Sequence, residues 1–149
     1  MRKKPSVTNL VDITETRVRF SEVDSLGIVW HGNFVKYLED GRESFGRRYG
    51  LSYFEVYDHE LLTPIVKMEI DYRMQVKYGD VILIETTYVN CDAAKIILNY
   101  RILRKSDGAV VMTATTTQAF VSKNGELELT NPGCYLDWKR RNGVAHPLQ

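Results

Sequence analysis

The chain has 149 residues, and 44% of them are hydrophobic. Lys and Arg together number 20 against 19 Asp and Glu, which excludes the strong overall charge that draws proteins to nucleic acid or to an anionic membrane. This length suffices for one domain with a buried core. We therefore expect a single domain over residues 1–149, with its core from about residue 13 to about residue 140.

The amino-terminal segment, residues 1–9, is basic but leads into polar, strand-like sequence. It lacks the apolar stretch of a secretory signal or of a membrane-spanning helix, and we expect a cytoplasmic protein. Cys91 and Cys134 lack CxxC spacing, and no group of Cys and His has the close spacing of a structural zinc site. We expect no metal, and we expect the two cysteines to act as small buried hydrophobic side chains.

One long helix follows the first strand. Residues 13–20 are rich in β-branched side chains with charges at alternate positions, which predicts a strand with one solvated face. After a loop over residues 21–32, small or apolar side chains recur at helical spacing from Asn33 onward, and Gly50 provides a left-handed stop. Gly41 falls on the apolar face, which predicts close packing of this helix against a sheet.

The rest of the chain is mostly strand. A mixed connector over residues 51–60 leads into four predicted strands, and turn signals rich in Gly, Asn and Asp separate them, which favours antiparallel hairpins. Asn131 and Pro132 predict the start of a short final helix that ends near Gly143. An α+β fold, in which a curled antiparallel sheet wraps around the one long helix, accounts for this order. The predicted strands cover residues 61–73, 81–91, 95–104 and 109–121.

The segment between the first strand and the long helix carries the chemistry. It reads Asp24-Ser-Leu-Gly-Ile-Val-Trp-His-Gly-Asn-Phe34, so a carboxylate and a glycine-containing turn come directly before a helix. The first backbone N–H groups of a helix have no partner within it and carry partial positive charge, so they can hold a developing oxyanion. Together with a carboxylate that serves as base or nucleophile, this arrangement indicates acyl transfer or hydrolysis.

The same segment is similar to the signature of the hotdog-fold thioesterases, most closely the 4-hydroxybenzoyl-CoA thioesterase-like group of acyl-CoA thioesterases. That signature is Asp-x-x-Gly-x-Val-x-(His or Tyr)-x-Asn-(Tyr or Phe). Thr63-Pro-Ile-Val66 and Tyr78-Gly-Asp-Val81 are also spaced as in that family. The resemblance implies the hotdog fold, hydrolysis of acyl-CoA to a free acid and CoA without a cofactor, and a homodimer with the active site between subunits. In such enzymes two sheets join into one larger sheet, and dimers often pair into tetramers.

The resemblance also assigns roles to individual residues. Asp24 is the expected catalytic carboxylate, as nucleophile or as general base, and the backbone amide of His31 is expected to polarise the thioester carbonyl. Participation of the His31 side chain, as a general acid or an orienting group, is an alternative. The residues expected to contact the substrate are Gly27, Val29, Trp30, Asn33, Thr63, Pro64 and Ile65.

Several of these residues also have an ordinary structural interpretation. An Asp before a glycine-containing turn commonly forms an Asx turn, and Asn33 can cap or orient the loop. Residues 63–65 also fit the core of a curled sheet. Glu39, inside the helix, is either a second catalytic carboxylate or the partner of Arg42 in a surface ion pair.

The expected CoA phosphate site departs from the family. Some members carry a basic cluster in the hairpin before the fourth strand, whereas this chain has Asn90-Cys-Asp-Ala-Ala94 there, followed by a single cation. Lysines in loops or at strand ends are therefore the candidates for contacts with the CoA phosphates. They are Lys77, Lys95 and Lys123.

Acyl-CoA hydrolysis is thus the function that the sequence favours, and it has three rivals. An acyl-carrier-protein thioesterase would show a basic patch around the tunnel mouth, for which Arg47 and Arg48 are candidates. A hotdog dehydratase would need a His and acid pair that the histidines of this chain do not provide. A non-enzymatic acyl-CoA sensor would ordinarily carry an attached DNA-binding segment, which we do not expect in a chain of this length.

Overall fold

The computed structural model describes residues 10–144, so the basic segment at residues 1–9 lies outside the described residues. In chain order the strands are β1 (Val11–Arg17), β2 (Leu61–Leu62), β3 (Ile65–Tyr72), β4 (Val81–Val89), β5 (Lys95–Arg104), β6 (Val110–Ala119) and β7 (Val121–Ser122). The helices are α1 (Phe34–Tyr49), α2 (Tyr53–Asp58) and α3 (Gly133–Arg141).

Five strands form one antiparallel sheet in the order β1-β4-β5-β6-β3, and β2 pairs with β7 in a separate ribbon. In β4 every second residue is buried, as expected when one face covers a core and the other meets solvent. The long helix α1 supplies Phe34, Tyr37, Leu38 and Phe45 to that core, where they cluster with sheet residues such as Ile84. A curled antiparallel sheet around one long helix is the hotdog fold, as the sequence predicted.

The end of α1 and its packing also confirm the prediction. Gly50 follows the last helical residue in a left-handed conformation (φ 77°), and its N–H bonds to a carbonyl of the last turn. Gly41 lies so close to the sheet that a Cβ there would be 2.6 Å from Ile84 Cγ2 and 2.7 Å from Thr86 Oγ1. A side chain at Gly41 would therefore force the helix away from the sheet.

Some predicted boundaries differ from the structure. The first strand ends at Arg17, and Phe20–Glu22 forms a 3₁₀ turn instead of continuing the strand. The strand predicted at residues 61–73 is divided, because the chain passes from the β2–β7 ribbon to the main sheet at Pro64, which has no N–H for a ladder. The connector predicted at residues 51–60 contains the helix α2.

The turn at Tyr78-Gly-Asp80 does not join neighbouring strands, although its sequence predicts a hairpin. The strands on either side of it, β3 and β4, lie apart in the sheet, and β3 pairs with β6. The segment before β4 pairs with the loop before α1 instead: Val29 N–H donates to the Val76 carbonyl at 2.8 Å, and Tyr78 N–H donates to the Gly27 carbonyl at 2.9 Å. Because β6 is the one strand beside β3 in the main sheet of the described residues, β3 lies at the edge of that sheet.

The final helix α3 packs against the end of α1. Its N-cap is Pro132, whereas the side chain of Asn131, the predicted cap, donates to the Asp92 carbonyl at 2.8 Å. Trp138 is buried, and its indole N–H donates to the Tyr49 carbonyl at 2.7 Å. The helix therefore ties the end of α1 to the β4–β5 hairpin.

Cys91 and Cys134 are free thiols, and both are half-buried instead of fully buried as expected. Between residues 10 and 144, no helix is long and apolar enough to cross a bilayer. In the same part of the chain, no three His, Cys, Asp or Glu side chains lie close enough together to hold a metal ion.

The two ends of the main sheet carry different parts of the predicted site. The edge strand β3 begins at Ile65, opposite Gln118 of β6, and ends at Tyr72, opposite Met112. We name these the Ile65 end and the Tyr72 end. The helix α1 starts at the Tyr72 end, where the Phe34 ring lies 5.5 Å from the Tyr72 ring, and runs toward the Ile65 end, where Phe45 and Gly46 line a cavity together with Thr63 and Pro64.

Candidate active site

Asp24 closes a tight loop at the Tyr72 end. Its N–H donates to the Ile28 carbonyl at 2.8 Å, and its Oδ1 accepts from Leu26 N–H at 2.8 Å and from Ile28 N–H at 3.3 Å. Gly27 supplies the positive φ (74°) that this turn requires. The Asx turn is therefore present, but it uses only one carboxylate oxygen. Oδ2 accepts no hydrogen bond from the described residues, and the side chain is exposed.

A 3₁₀ turn at His31–Asn33 leads into α1. The Asn33 N–H bonds to the Trp30 carbonyl at 2.9 Å, whereas the N–H groups of His31 and Gly32 have no acceptor within residues 10–144. Unpaired amides at the start of a helix carry positive potential and attract an oxygen that bears negative charge. This geometry fits the predicted role of the His31 amide.

Trp30 lies across the same turn. A Cβ on Gly32 would be only 2.1 Å from the Trp30 ring, so the ring can lie there only because this residue is glycine. The Trp30 ring is also 4.8 Å from the His31 ring, and the side chain is 53% exposed. It gives the unpaired amides an apolar neighbour that a ligand can reach. Val29, the residue before it, is buried in the core.

Asn33 orients the loop and does not cap α1 with its side chain. Its Nδ2 donates to the Glu22 carbonyl at 2.8 Å, and the Trp30 N–H donates to the same carbonyl at 3.1 Å. Both bonds join the start of α1 to the 3₁₀ turn that follows β1.

The remaining predicted substrate contacts lie far from Asp24 within one protomer. Residues 63–65 are at the Ile65 end, and the Asp24 loop is at the Tyr72 end. Because β3 has eight residues and a strand rises about 3.3 Å per residue, these ends are about 23 Å apart. One protomer alone therefore does not bring the two groups of predicted residues into one site.

The three candidate lysines are divided in the same way. Lys77 lies at the Tyr72 end, where an isolated β-bridge pairs it with Ile28 of the Asp24 loop. Lys95 begins β5 at the Ile65 end, and Lys123 follows β7 there with its Nζ 4.0 Å from the centre of the Tyr57 ring. No single phosphate site within one protomer uses all three.

A cavity of about 550 Å³ lies between α1 and the chain around β2 and β7. Thr63 and Pro64, two of the predicted substrate contacts, line it, whereas Ile65, the third in that segment, is not among its lining residues. Its wall from the middle of α1 is charged, and the rest is mainly apolar. The charged residues are Glu39, Asp40, Arg42 and Glu43, and the apolar ones include Phe45, Leu51, Leu62, Ile96, Leu98 and Val121.

A family model for the thioesterase-like superfamily matches residues 18–138 of the chain. The chain belongs to this superfamily. It is 27% identical over 124 residues to the putative acyl-CoA thioesterase YneP of Bacillus subtilis, a match that covers 83% of this chain and 89% of that protein. It is 25% identical over 118 residues to the 4-hydroxybenzoyl-CoA thioesterase of a Pseudomonas species, which covers 75% of this chain and 84% of that protein.

Among solved structures, a DHNA-CoA thioesterase from Staphylococcus aureus matches with a TM-score of 0.79 over 89% of each chain. Its sequence is 19% identical, and this match shows the fold. Together with the family and the named relatives, it identifies a hotdog thioester hydrolase, as the sequence predicted.

In this thioesterase Glu39 forms an ion pair with Arg42, which is one of the two roles that the sequence suggested for Glu39. Both residues line the cavity. Partial burial raises the pKa of the neighbouring Asp40 carboxyl, and the negative charge of Glu22 raises it further. The charged wall of the cavity therefore contains two paired carboxylates, those of Glu39 and Glu43, and one, that of Asp40, that holds its proton more tightly than usual.

Three residues that contact or neighbour the predicted site residues escaped prediction. Tyr72 donates its hydroxyl to the His31 carbonyl at 2.9 Å, and Glu22 Oε1 accepts from the Tyr37 hydroxyl at 3.0 Å. Neither contact has a sequence signal, because each joins residues at least 15 positions apart. Gln118 is buried, lines the cavity and donates to the Thr63 carbonyl at 2.8 Å. A polar side chain at an inward position of an alternating strand is the signal that points to Gln118.

Proposed function

We propose that this enzyme hydrolyses acyl-CoA thioesters to a free acid and CoA, with Asp24 as general base or nucleophile and the His31 amide polarising the carbonyl. One observation carries the proposal. Asp24, whose carboxylate has one unbonded oxygen, lies in the loop that a bridge between Val23 and Val29 closes, and the unpaired amides of His31 and Gly32 follow directly after that bridge at the start of α1.

The chemistry that this arrangement supports has two variants. As a nucleophile, Asp24 attacks the thioester carbon, the C–S bond breaks, the CoA thiolate leaves, and water hydrolyses the mixed anhydride. As a general base, Asp24 takes a proton from the water that attacks the same carbon. In both variants the carbonyl oxygen gains negative charge, which the amides at the start of α1 stabilise. A thiolate needs little protonation to leave, so the His31 side chain is not required as an acid.

The active enzyme in this proposal is a homodimer that shares its sites. The edge strand β3 has β6 as its sheet neighbour on one side, and long edge strands readily pair with another chain. An antiparallel pairing of two β3 strands about a two-fold axis between Met68 and Glu69 places the partner's Ile65 opposite Tyr72. Such pairing brings the cavity of one subunit toward the Asp24 loop of the other, which one protomer does not do. By resemblance, two such dimers pair into a tetramer.

In this arrangement the acyl group occupies the cavity beside Thr63 and Pro64, and Gly27, Trp30 and Asn33 shape the opening at the Asp24 loop. The pairing also brings Lys77 of one subunit toward the end that carries Lys95 and Lys123 in the other. We assign the CoA phosphates to this group of exposed lysines, so the nucleotide makes weak contacts.

The charges around the cavity favour CoA over an acyl-carrier protein. Arg47 and Arg48, the candidates for a basic docking patch, face Glu43 at 3.8 Å and Asp12 at 3.7 Å. The cavity wall itself contributes more carboxylates than cations. An acidic carrier protein would gain little attraction from such a surface.

The test is a hydrolysis panel that measures thiol release from acyl-CoAs of graded length, from aryl-CoAs and from the same acyl groups on an acyl-carrier protein. We expect turnover of CoA substrates and much slower turnover of carrier-protein substrates. Binding of acyl-CoA without thiol release would contradict the enzyme proposal and favour a sensor. Faster turnover on the carrier protein would contradict the choice of substrate.

A further inference from the structure

Two contacts hold the 3₁₀ turn before α1 from opposite sides, and neither belongs to the sequence signature of the family. On one side the Tyr72 hydroxyl, at the end of β3, donates to the His31 carbonyl at 2.9 Å. The Tyr72 ring also makes edge contacts with the rings of His31 at 6.3 Å and Phe34 at 5.5 Å. The sheet thus adds a second bond to a carbonyl that also accepts from the Phe34 N–H, and the two bonds together fix the peptide plane that follows His31.

On the other side the Glu22 carboxylate fastens the turn that carries the Glu22 carbonyl. Its Oε1 accepts from Arg19 N–H at 2.8 Å and from the Tyr37 hydroxyl at 3.0 Å. Burial raises the pKa of Tyr37, and the bond to Glu22 raises it further, so the Tyr37 hydroxyl remains a donor. The Glu22 carbonyl then accepts from Trp30 N–H and from Asn33 Nδ2.

We propose that Tyr72 and Glu22 are positioning residues for the thioester hydrolase, because together they hold the turn at His31 and Gly32 so that the free N–H groups of these two residues meet the developing oxyanion. We name this arrangement the amide clamp, comprising Tyr72, Glu22 and Tyr37. It rests on the proposed role of the His31 amide. The His31 carbonyl belongs to the same peptide unit as the Gly32 N–H, so a bond at that carbonyl sets the direction of that N–H.

The clamp contributes to rate more than to substrate affinity. An amide stabilises the oxyanion only when it lies within hydrogen-bond distance of the position that the oxygen reaches in the transition state. A misplacement of about 1 Å is enough to cost up to about a hundredfold in rate. Releasing one side of the clamp leaves the amides present but less well directed, so a fall of roughly tenfold in kcat is expected.

Tyr72→Phe tests the Tyr72 side with little disturbance of the fold, since the ring and its edge contacts stay and only the hydroxyl is lost. Tyr78→Phe is the matched control. Tyr78 is similarly exposed, at 59% against 50% for Tyr72, and its hydroxyl makes no hydrogen bond within the described residues. We expect kcat on the best acyl-CoA substrate to fall roughly tenfold in Tyr72→Phe, with KM changed less than about twofold, and no change in Tyr78→Phe.

Glu22→Gln and Glu22→Ala test the other side. A Gln oxygen can still accept from Arg19 N–H and from Tyr37, so we expect Glu22→Gln to keep most of the wild-type kcat. Glu22→Ala loses both bonds, and Tyr37→Phe loses one. We expect both variants to lower kcat, Glu22→Ala more strongly, with KM nearly unchanged.

Circular dichroism and Tm are measured for each variant alongside the kinetics. An active wild type with equal kcat in Tyr72→Phe and Tyr78→Phe overturns the clamp and leaves the proposed function standing. A fall in kcat that is fully matched by loss of folded protein, or a rise in KM at constant kcat, overturns it as well. A wild type that releases no thiol from any acyl-CoA overturns the proposed function and the clamp together.

Discussion

The two ends of α1 are built in different ways. The turn before its start carries exposed side chains, including Trp30 and His31, and hydrogen bonds to backbone carbonyls hold that turn in place. At its other end Tyr49 meets α3, where Trp138 and Tyr135 are each 1% exposed and their rings stack at 5.8 Å. The first arrangement leaves polar groups available to a ligand, and the second removes a large apolar area from water.

This difference separates chemistry from stability along a single helix. A change in the exposed turn before α1, at Trp30 or His31, alters groups that face a substrate and removes little buried surface. A change at the other end of α1 opens a cavity in the core. We therefore expect substitutions in that turn to lower the rate at nearly constant Tm, and substitutions at the other end to lower Tm at nearly constant rate per folded molecule.

The largest effect on rate is expected from Asp24→Asn. An Asn oxygen can still accept from Leu26 and Ile28 N–H, so the loop should keep its shape while the charge is lost. We expect kcat to fall roughly 10²–10⁴-fold, the usual scale for a positioned acid–base group, with Tm almost unchanged. Asp58→Asn, a substitution of an exposed Asp on α2, is the control. Near-wild-type hydrolysis by folded Asp24→Asn would refute the role of Asp24.

The two tryptophans give a direct test of the contrast between the ends. Trp138→Ala removes a buried ring and its bond to the Tyr49 carbonyl, so we expect a loss of about 3–5 kcal/mol in the free energy of unfolding. Trp30→Ala removes a half-exposed ring beside the free amides, so we expect little change in stability but lower kcat/KM. Chemical denaturation and steady-state kinetics of both variants measure these effects. The contrast fails if Trp30→Ala proves the more destabilising of the two.

A mixing experiment tests whether the two ends of different subunits form one site. Asp24→Asn disables the loop, and Thr63→Trp fills the cavity, so each variant alone should be nearly inactive. In hybrid dimers one site carries both changes and the other carries neither. Random mixing should therefore restore about a quarter of the wild-type activity. Light scattering checks that the variants are dimers or larger, and a mixture that stays inactive despite subunit exchange argues for a site within one protomer.

The parts of the fold that the sequence predicted are those that depend on local patterns. Helical spacing of apolar residues located α1, Gly50 marked its end, and Gly41 marked the close approach to the sheet. The turn chemistry of Asp24 and Gly27 is local too, so the loop before the helix was also predictable.

The wrong hairpin at Tyr78-Gly-Asp80 and the residues missed around the site concern contacts between distant residues. The turn at Tyr78-Gly-Asp80 has the same local chemistry whether or not its flanking strands pair, and pairing of β3 with β6 joins residues such as Ile65 and Gln118 that are far apart in sequence. The bonds from Tyr72 to His31 and from Tyr37 to Glu22 arise in the same way, from tertiary packing. Their residue types alone do not distinguish them from ordinary surface or core positions.

The smallest effect is expected at the nucleotide. Lys77 lies at the Tyr72 end, whereas Lys95 and Lys123 lie at the Ile65 end, and all three are exposed. Exposed contacts between lysine and phosphate are weak and screened by salt, so removing the 3′-phosphate of the substrate should raise KM less than about fivefold.

The comparison uses an acyl-CoA, its 3′-dephospho form and the acyl-pantetheine at low and moderate ionic strength, followed by alanine variants of the three lysines. Small effects shared among the lysines support one loose site built from the two ends in a dimer. A large, salt-sensitive loss of kcat/KM that a single lysine variant reproduces would show a specific phosphate site at one end, despite the Ala93-Ala94 sequence in the β4–β5 hairpin.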